Sequence, residues 1–332
     1  MNQPLYIRTI VSDWPGEPDT GTLSDRNGHE RDKLVHFKQD THEYSLLDSK
    51  TNTIVVLVQS MSSLSKPFFE DFDAEKNARS VFLKRKRDRQ SPYYWFIQSQ
   101  TYPDNETEVT RAITEVWAKL GHRASAEGTL AHLDMEIYLN GQLPRTKHTY
   151  PDDDESDLHV RKMSDAGRKW VDKLAFGEYG WEAYRTEHSI YIDMSRAGED
   201  EDGDIIDNQP KFVAGQLDAL FLDRTNTEYH LVDWKFCGKD KLDARSGEYN
   251  GLLRKGTGPL QMLPDNSLGK YIVQQSLYAF VLRRRYGITV KTARLIHVPS
   301  DVADPVAREI MLDLLHDDVI HELIKEYLIK HN

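Results

Sequence analysis

The sequence holds a single cysteine, Cys237, in 332 residues. One thiol excludes an internal disulfide framework and any zinc or iron–sulfur site built from several cysteines. It fits a reducing interior, cytosolic or nuclear. No apolar run approaches the roughly 18 residues that a membrane-spanning helix needs, so no membrane association is expected. The opening MNQPLYIRTIVSDWPGEPD is acidic and proline-bearing, unlike a secretory signal. No Gly-x-x-x-x-Gly-Lys-Ser/Thr occurs, which leaves the sequence without a nucleotide-driven motor of its own. Positive charge is also short: 43 Lys and Arg stand against 54 Asp and Glu, a net charge of −11. That balance argues against an all-over nucleic-acid-binding surface, but it leaves nucleic acid open as a substrate.

What is present suits a globular protein, with 39% hydrophobic and 10% aromatic residues. The length supports a large core, as one big domain or two smaller ones. Acidic runs at 152–157 and 199–207 carry much of the negative excess. The local basic features are Lys84-Arg85-Lys86-Arg87-Asp88-Arg89 and Arg254-Lys255. The first run reads as a solvated helix face, a phosphate contact or a nuclear-localisation signal. Of the neighbouring aromatics Tyr93, Tyr94, Trp95 and Phe96, a packed cluster is one reading and base stacking another.

Periodicity orders the chain. Residues 1–30 read as an irregular lead-in, 34–64 as strands with a hairpin turn at 48–52, and 67–90 as a charged helix. Helices are expected at 107–121, closed by Gly121, at 124–139, and at 164–176 capped by Ser164, with a loop over 152–157. The period then changes to 2, giving strands at 181–192, 211–223 and 228–236. A long mobile loop at 237–269, a helix at 269–286, a strand at 289–298 and a C-terminal helix at 304–329 complete the pass. The division expected is an N-terminal β-rich and helical extension, 1–106, followed by a mixed α/β core, 107–332.

Chemistry concentrates in that core. Asp218 and Asp233 lie on consecutive strands, and Lys235, two residues on, shares a face with Asp233. His230, Val232, Trp234 and Phe236 form the opposite, core-facing side. Two carboxylates and an ammonium converging at a sheet edge suit a divalent metal and phosphodiester chemistry, though Asp-x-Lys alone also reads as a buried ion pair. Lys235, while protonated, would orient water or offset transition-state charge. His132 and Glu136, one helical turn apart, offer a nitrogen donor or an ordinary packed histidine. Glu187, on the first strand of the meander, is a further acid or a solvent-facing residue. Gln274 and Tyr278 share one face of the following helix.

The ordered series Gly128…His132, Gly215…Asp218, Asp233-x-Lys235 and Gln274…Tyr278 resembles the PD-(D/E)xK nuclease superfamily, in its RecB-like and lambda-exonuclease-like branch. The stretches Glu127–His132, Tyr184–Glu187 and Lys270–Gln274 are also similar to nucleases of large DNA viruses and phages. The resemblance covers 107–300 well and the N-terminal third loosely. It implies a restriction-endonuclease-like mixed β-sheet flanked by helices, with an αβββαβ core. It further implies Mg²⁺ or Mn²⁺ held by His132, Asp218, Asp233 and the Trp234 carbonyl, with Lys235 and, less directly, Glu187 in catalysis, and with Gln274 and Tyr278 against DNA or the metal shell. The iron–sulfur cluster of several RecB-like enzymes is excluded by the lone Cys237. The expected activity is metal-dependent hydrolysis of DNA, as an exonuclease or a processor of ends and single strands in replication, recombination or repair. A helicase or recombination partner would then act in trans. A catalytically inactive DNA-binding module, a ribonuclease and a structural α/β protein with incidental acids are the alternatives.

Overall fold

A computed structural model describes residues 22–38, 41, 43–48, 53–57, 59–141, 154–176, 179–194, 212–223, 227–246, 248 and 252–330. In chain order its helices are α1 (Leu23–Arg26), α2 (Ala74–Arg85), α3 (Pro92–Gln98), α4 (Glu106–Leu139), α5 (Asp154–Phe176), α6 (Ser267–Tyr286) and α7 (Asp317–Lys330). Its strands are β1 (Val35–Lys38), β2 (Glu43–Asp48), β3 (Thr53–Leu57), β4 (Trp181–Asp193), β5 (Phe212–Asp223), β6 (Tyr229–Cys237), β7 (Val290–Pro299) and β8 (Arg308–Leu312). The chain resolves into two compact units, the smaller spanning Glu70–Leu130 and the larger containing everything else. This differs from the division expected at residue 106.

The larger unit is mixed α/β. Its main sheet has the order β4-β5-β6-β7-β8. The strands β4, β5 and β6 form an antiparallel meander, β7 runs parallel to β6, and β8 returns antiparallel to β7. A parallel neighbour needs a crossover, and α6 supplies it. Asn266 caps α6 by accepting the Gly269 amide, and Gly287 ends it in the left-handed region. One face of the sheet buries Leu217, Leu231 and Leu295 with Val273, Leu277 and Val281 of α6 and Ile320 and Leu323 of α7. On the other face Trp234 meets Trp170 of α5 edge-on. The expectation that only the Trp234 side of β6 is a core face is therefore corrected: β6 is covered on both faces, as strands beside a parallel neighbour usually are. A second, antiparallel sheet pairs β1, β2 and β3.

The expected strands recur within a few residues, while several helices differ. Instead of two helices broken at Gly121, α4 runs through it, because one exposed glycine costs only about 1 kcal/mol among good helix formers. Ser164 lies inside α5, where its hydroxyl bonds the Val160 carbonyl and Asp134; the helix starts ten residues earlier, within the acidic stretch. The helix expected at 304–329 begins instead as β8, which covers the edge of β7, and turns helical only at Asp317. Residues 67–90 split into the end of a 3₁₀ helix (Met61–Phe68), α2 and a turn. The lead-in contains α1, closed by a Thr22–Asp25 capping box. The segment 237–269 is anchored by buried Leu242, Leu260 and Leu263. The turn expected at 48–52 falls largely outside the described residues.

The smaller unit packs α2 and α3 with the first part of α4 around Ala78, Phe82, Ile97, Val109 and Ile113.

Candidate metal and catalytic site

The site forms where β5 and β6 part. Their ladder ends at the Ala219–Val232 pair, although both strands continue. Beyond that point a side chain replaces the neighbouring strand: Asp218 Oδ2 accepts the Trp234 amide at 2.8 Å. The same oxygen lies 3.3 Å from Nδ1 of His132 on α4. Glu187 sits on β4 between the Thr186–Ala219 and His188–Leu217 pairs that flank Asp218. Its φ of 45° is left-handed, a sparsely populated conformation for a non-glycine residue, and such strain gathers at functional positions. Gln216 holds this residue too, its Nε2 donating to the Glu187 carbonyl at 3.1 Å. One donor atom each from His132, Glu187 and Asp218 lies within 4.8 Å of the others. The side chains of His132 and Asp218 remain 29% and 14% exposed, so the group is accessible from solvent.

Asp233 and Lys235 stand on the face of β6 covered by α6. Gln275 Nε2 donates to Asp233 Oδ1 at 2.8 Å, and Lys235 Nζ lies 2.5 Å from Asp233 Oδ2. The ammonium also lies 4.5 Å from the centre of the Tyr271 ring. Burial, and then the Asp218 charge, push the Asp233 carboxyl up to about 6. Burial raises Asp218 as well. Burial works against the Lys235 charge, but Asp233 and Asp218 outweigh it and hold the ammonium protonated. Burial and then Lys235 lower His132 to about 4, leaving a neutral imidazole able to donate a lone pair.

The Gly-x-x-Asp spacing has a steric cause. A Cβ at Gly215 would stand 2.5 Å from Cε1 of Tyr278, so the tyrosine ring packs directly on the β5 backbone three residues before Asp218. Tyr278 is 3% exposed and its hydroxyl accepts from Gln274 Nε2 at 3.0 Å. The expected pair thus bonds to itself, and Tyr278 underlies the site as packing. Trp234 gives its amide to Asp218 and buries its indole. Of the expected residues, His132, Glu187 and Asp218 come together as one donor group, with Asp233 engaged by Lys235 and Gln275. Gln275 was not foreseen; one position from Gln274, it lies on the helix face that meets β6, and only the docking of α6 distinguishes the two.

A second His–acid grouping, Asp223, Glu228 and His230, lies at the opposite end of the β5–β6 ladder. There Glu228 pairs with Lys291, and His230 bonds Thr292 and stacks on Trp181. These contacts account for it structurally.

No protein-family profile matches the chain, and no curated protein matches it. Among solved structures, the crystal structure of SSO0001 is similar over 62% of this chain and 86% of its own, at 13% identity and a TM-score of 0.28. A likeness that distant carries no functional argument.

Proposed function

We propose that the chain is a metal-dependent nuclease with a restriction-endonuclease-like core, hydrolysing phosphodiester bonds of DNA. The observation that carries this reading is the His132–Glu187–Asp218 donor group beside the Asp233–Lys235 pair, at the point where β5 and β6 separate. The order α5-β4-β5-β6-α6-β7 supports it, because it is the αβββαβ arrangement that the motif series implies.

The donor set fits a divalent ion: one neutral imidazole and two carboxylates suit Mn²⁺ or Mg²⁺. His132, Glu187 and Asp218 would hold it, with Asp233 and the Trp234 carbonyl as the further ligands that the resemblance implies. Such an ion would neutralise phosphate charge and acidify an attacking water. The chain's own residues supply the remainder. Asp233 and the Tyr271 ring fix the Lys235 ammonium, which offsets negative charge developing on the phosphate. Gln275 fixes the Asp233 carboxylate. Trp234 fixes Asp218 through its amide.

The test is cleavage of end-labelled linear and circular single-stranded DNA with Mg²⁺, Mn²⁺ or EDTA, for the wild type, Asp218→Asn and Asp233→Ala. Metal-dependent cleavage that both variants lose supports the reading, and the circle separates endonuclease from exonuclease action. Absence of cleavage with either metal refutes it in favour of a DNA-binding module, or of a ribonuclease if RNA is cut instead.

A further inference from the structure

The four-aromatic run in the smaller unit divides by helical phase. In α3, Tyr93, Phe96 and Ile97 turn inward: Ile97 is buried, and Tyr93 accepts a 2.9 Å hydrogen bond from Trp117 Nε1. Tyr94 and Trp95 fall on the other side, with their rings at 85° to each other. Trp95 is 65% exposed. The core beneath is filled by its neighbours in the same helix, so the indole faces water and its ring is open to a ligand.

The turn joining α2 to α3, which leads directly into the helix that carries these rings, is basic. Within the run 84–89, Arg85 is taken by Asp88 at 2.5 Å, and Lys86 lies over the Phe82 ring. Arg87 and Arg89 remain, both exposed, two and four residues past Arg85 at the end of α2 and five and three residues before Pro92 at the start of α3. An exposed indole with a half-buried phenol against it, a few residues along the chain from two guanidinium groups that have no partner among the described residues, offers the two chemistries that recognise unstacked bases on a phosphate backbone. In a chain with net charge −11 such a stretch is a local exception. A duplex hides its base faces, so the aromatic half of this surface selects for single strands.

We infer that the Glu70–Leu130 unit binds single-stranded nucleic acid through Trp95 and Tyr94 as the stacking surface and Arg87 and Arg89 as phosphate contacts. Its substrate class rests on the nuclease reading, whereas binding itself does not require cutting.

The experiment is fluorescence anisotropy of the full chain in EDTA with fluorescein-labelled oligo-dT and with a blunt duplex of equal length. The single strand should bind more tightly than the duplex. Trp95→Ala should weaken it by about 5- to 150-fold, the range for one lost base–aromatic stack, and Trp95→Phe should restore most of that loss. Arg87→Ala with Arg89→Ala should flatten the dependence of log K on log salt by about 1.4 for the two lost contacts. Failure of the wild type to bind the single strand, as for a surface that takes a protein partner, overturns the inference. So does binding that neither variant alters. Binding that follows this pattern in a protein that cuts nothing upholds the inference and removes only the nuclease reading.

Discussion

Gly215→Ala tests whether the Gly-x-x-Asp spacing exists because Tyr278 lies on β5. The new methyl carbon would meet Tyr278 Cε1 at 2.5 Å and Cζ at 3.2 Å. Carbon atoms favour about 3.5–4.0 Å, so the ring or the strand must yield by roughly 1 Å. The ring is buried, and Gln274 holds its hydroxyl. Overpacking of this kind costs about 1–3 kcal/mol. Replacing glycine within a strand returns about 0.5–1 kcal/mol of backbone entropy, which leaves a net loss near 1–2 kcal/mol. Tyr278→Ala alone should cost about 3–5 kcal/mol through its cavity. In that background the clash is gone, so Gly215→Ala should become neutral or stabilise by about 0.5 kcal/mol. Urea unfolding followed by circular dichroism on the four proteins gives the cycle, and a coupling of at least about 1 kcal/mol is expected. An equal cost of Gly215→Ala in both backgrounds would refute the steric account.

Other perturbations follow from the same contacts. Asp32 bridges Arg185 and His188; burial opposes its charge, but His188, the His29 amide and Arg185 hold the carboxyl lowered to about 2. Its stabilising effect is therefore complete above the ordinary carboxylate pKa near 4 and lost as pH falls from there through about 2. Asp32→Asn should destabilise the protein by about 2 kcal/mol at pH 7, less than for a fully buried pair because the carboxylate is partly solvated, and an acid titration of stability should lose its component in that window. Mn²⁺ at a hundred times its dissociation constant should stabilise the wild type by about 2.7 kcal/mol, and thermal unfolding of His132→Ala should show little of that gain. Lys235→Met should lower the cleavage rate by about 10²–10³ while calorimetry finds Mn²⁺ affinity little changed; a parallel loss of both would remove Lys235 from its assigned role.

Legibility in the sequence followed the range of the interaction. Period-2 alternation located β4, β5 and β6 within a residue or two, and so put Asp218 and Asp233 on neighbouring strands. His132 was placed on a helix because its neighbours repeat at helical spacing. Three features depended on contacts distant in the chain. The left-handed Glu187 arises in the middle of a strand whose local pattern is ordinary β. The segment that became β8 had helical neighbours, and its strand character comes from pairing with β7. Gln274 and Gln275 differ only in which one the docked helix turns toward Asp233. Gly121 misled in the opposite sense, since a glycine that ends one helix is carried inside a longer one.

The most direct test of the central claim is the anomalous difference map of crystals soaked in Mn²⁺, read alongside cleavage by the same preparation. A peak is expected at coordination distance from His132, Glu187 and Asp218, and should disappear together with cleavage in Asp218→Asn. A protein that cleaves DNA with its manganese bound away from these three residues would contradict it.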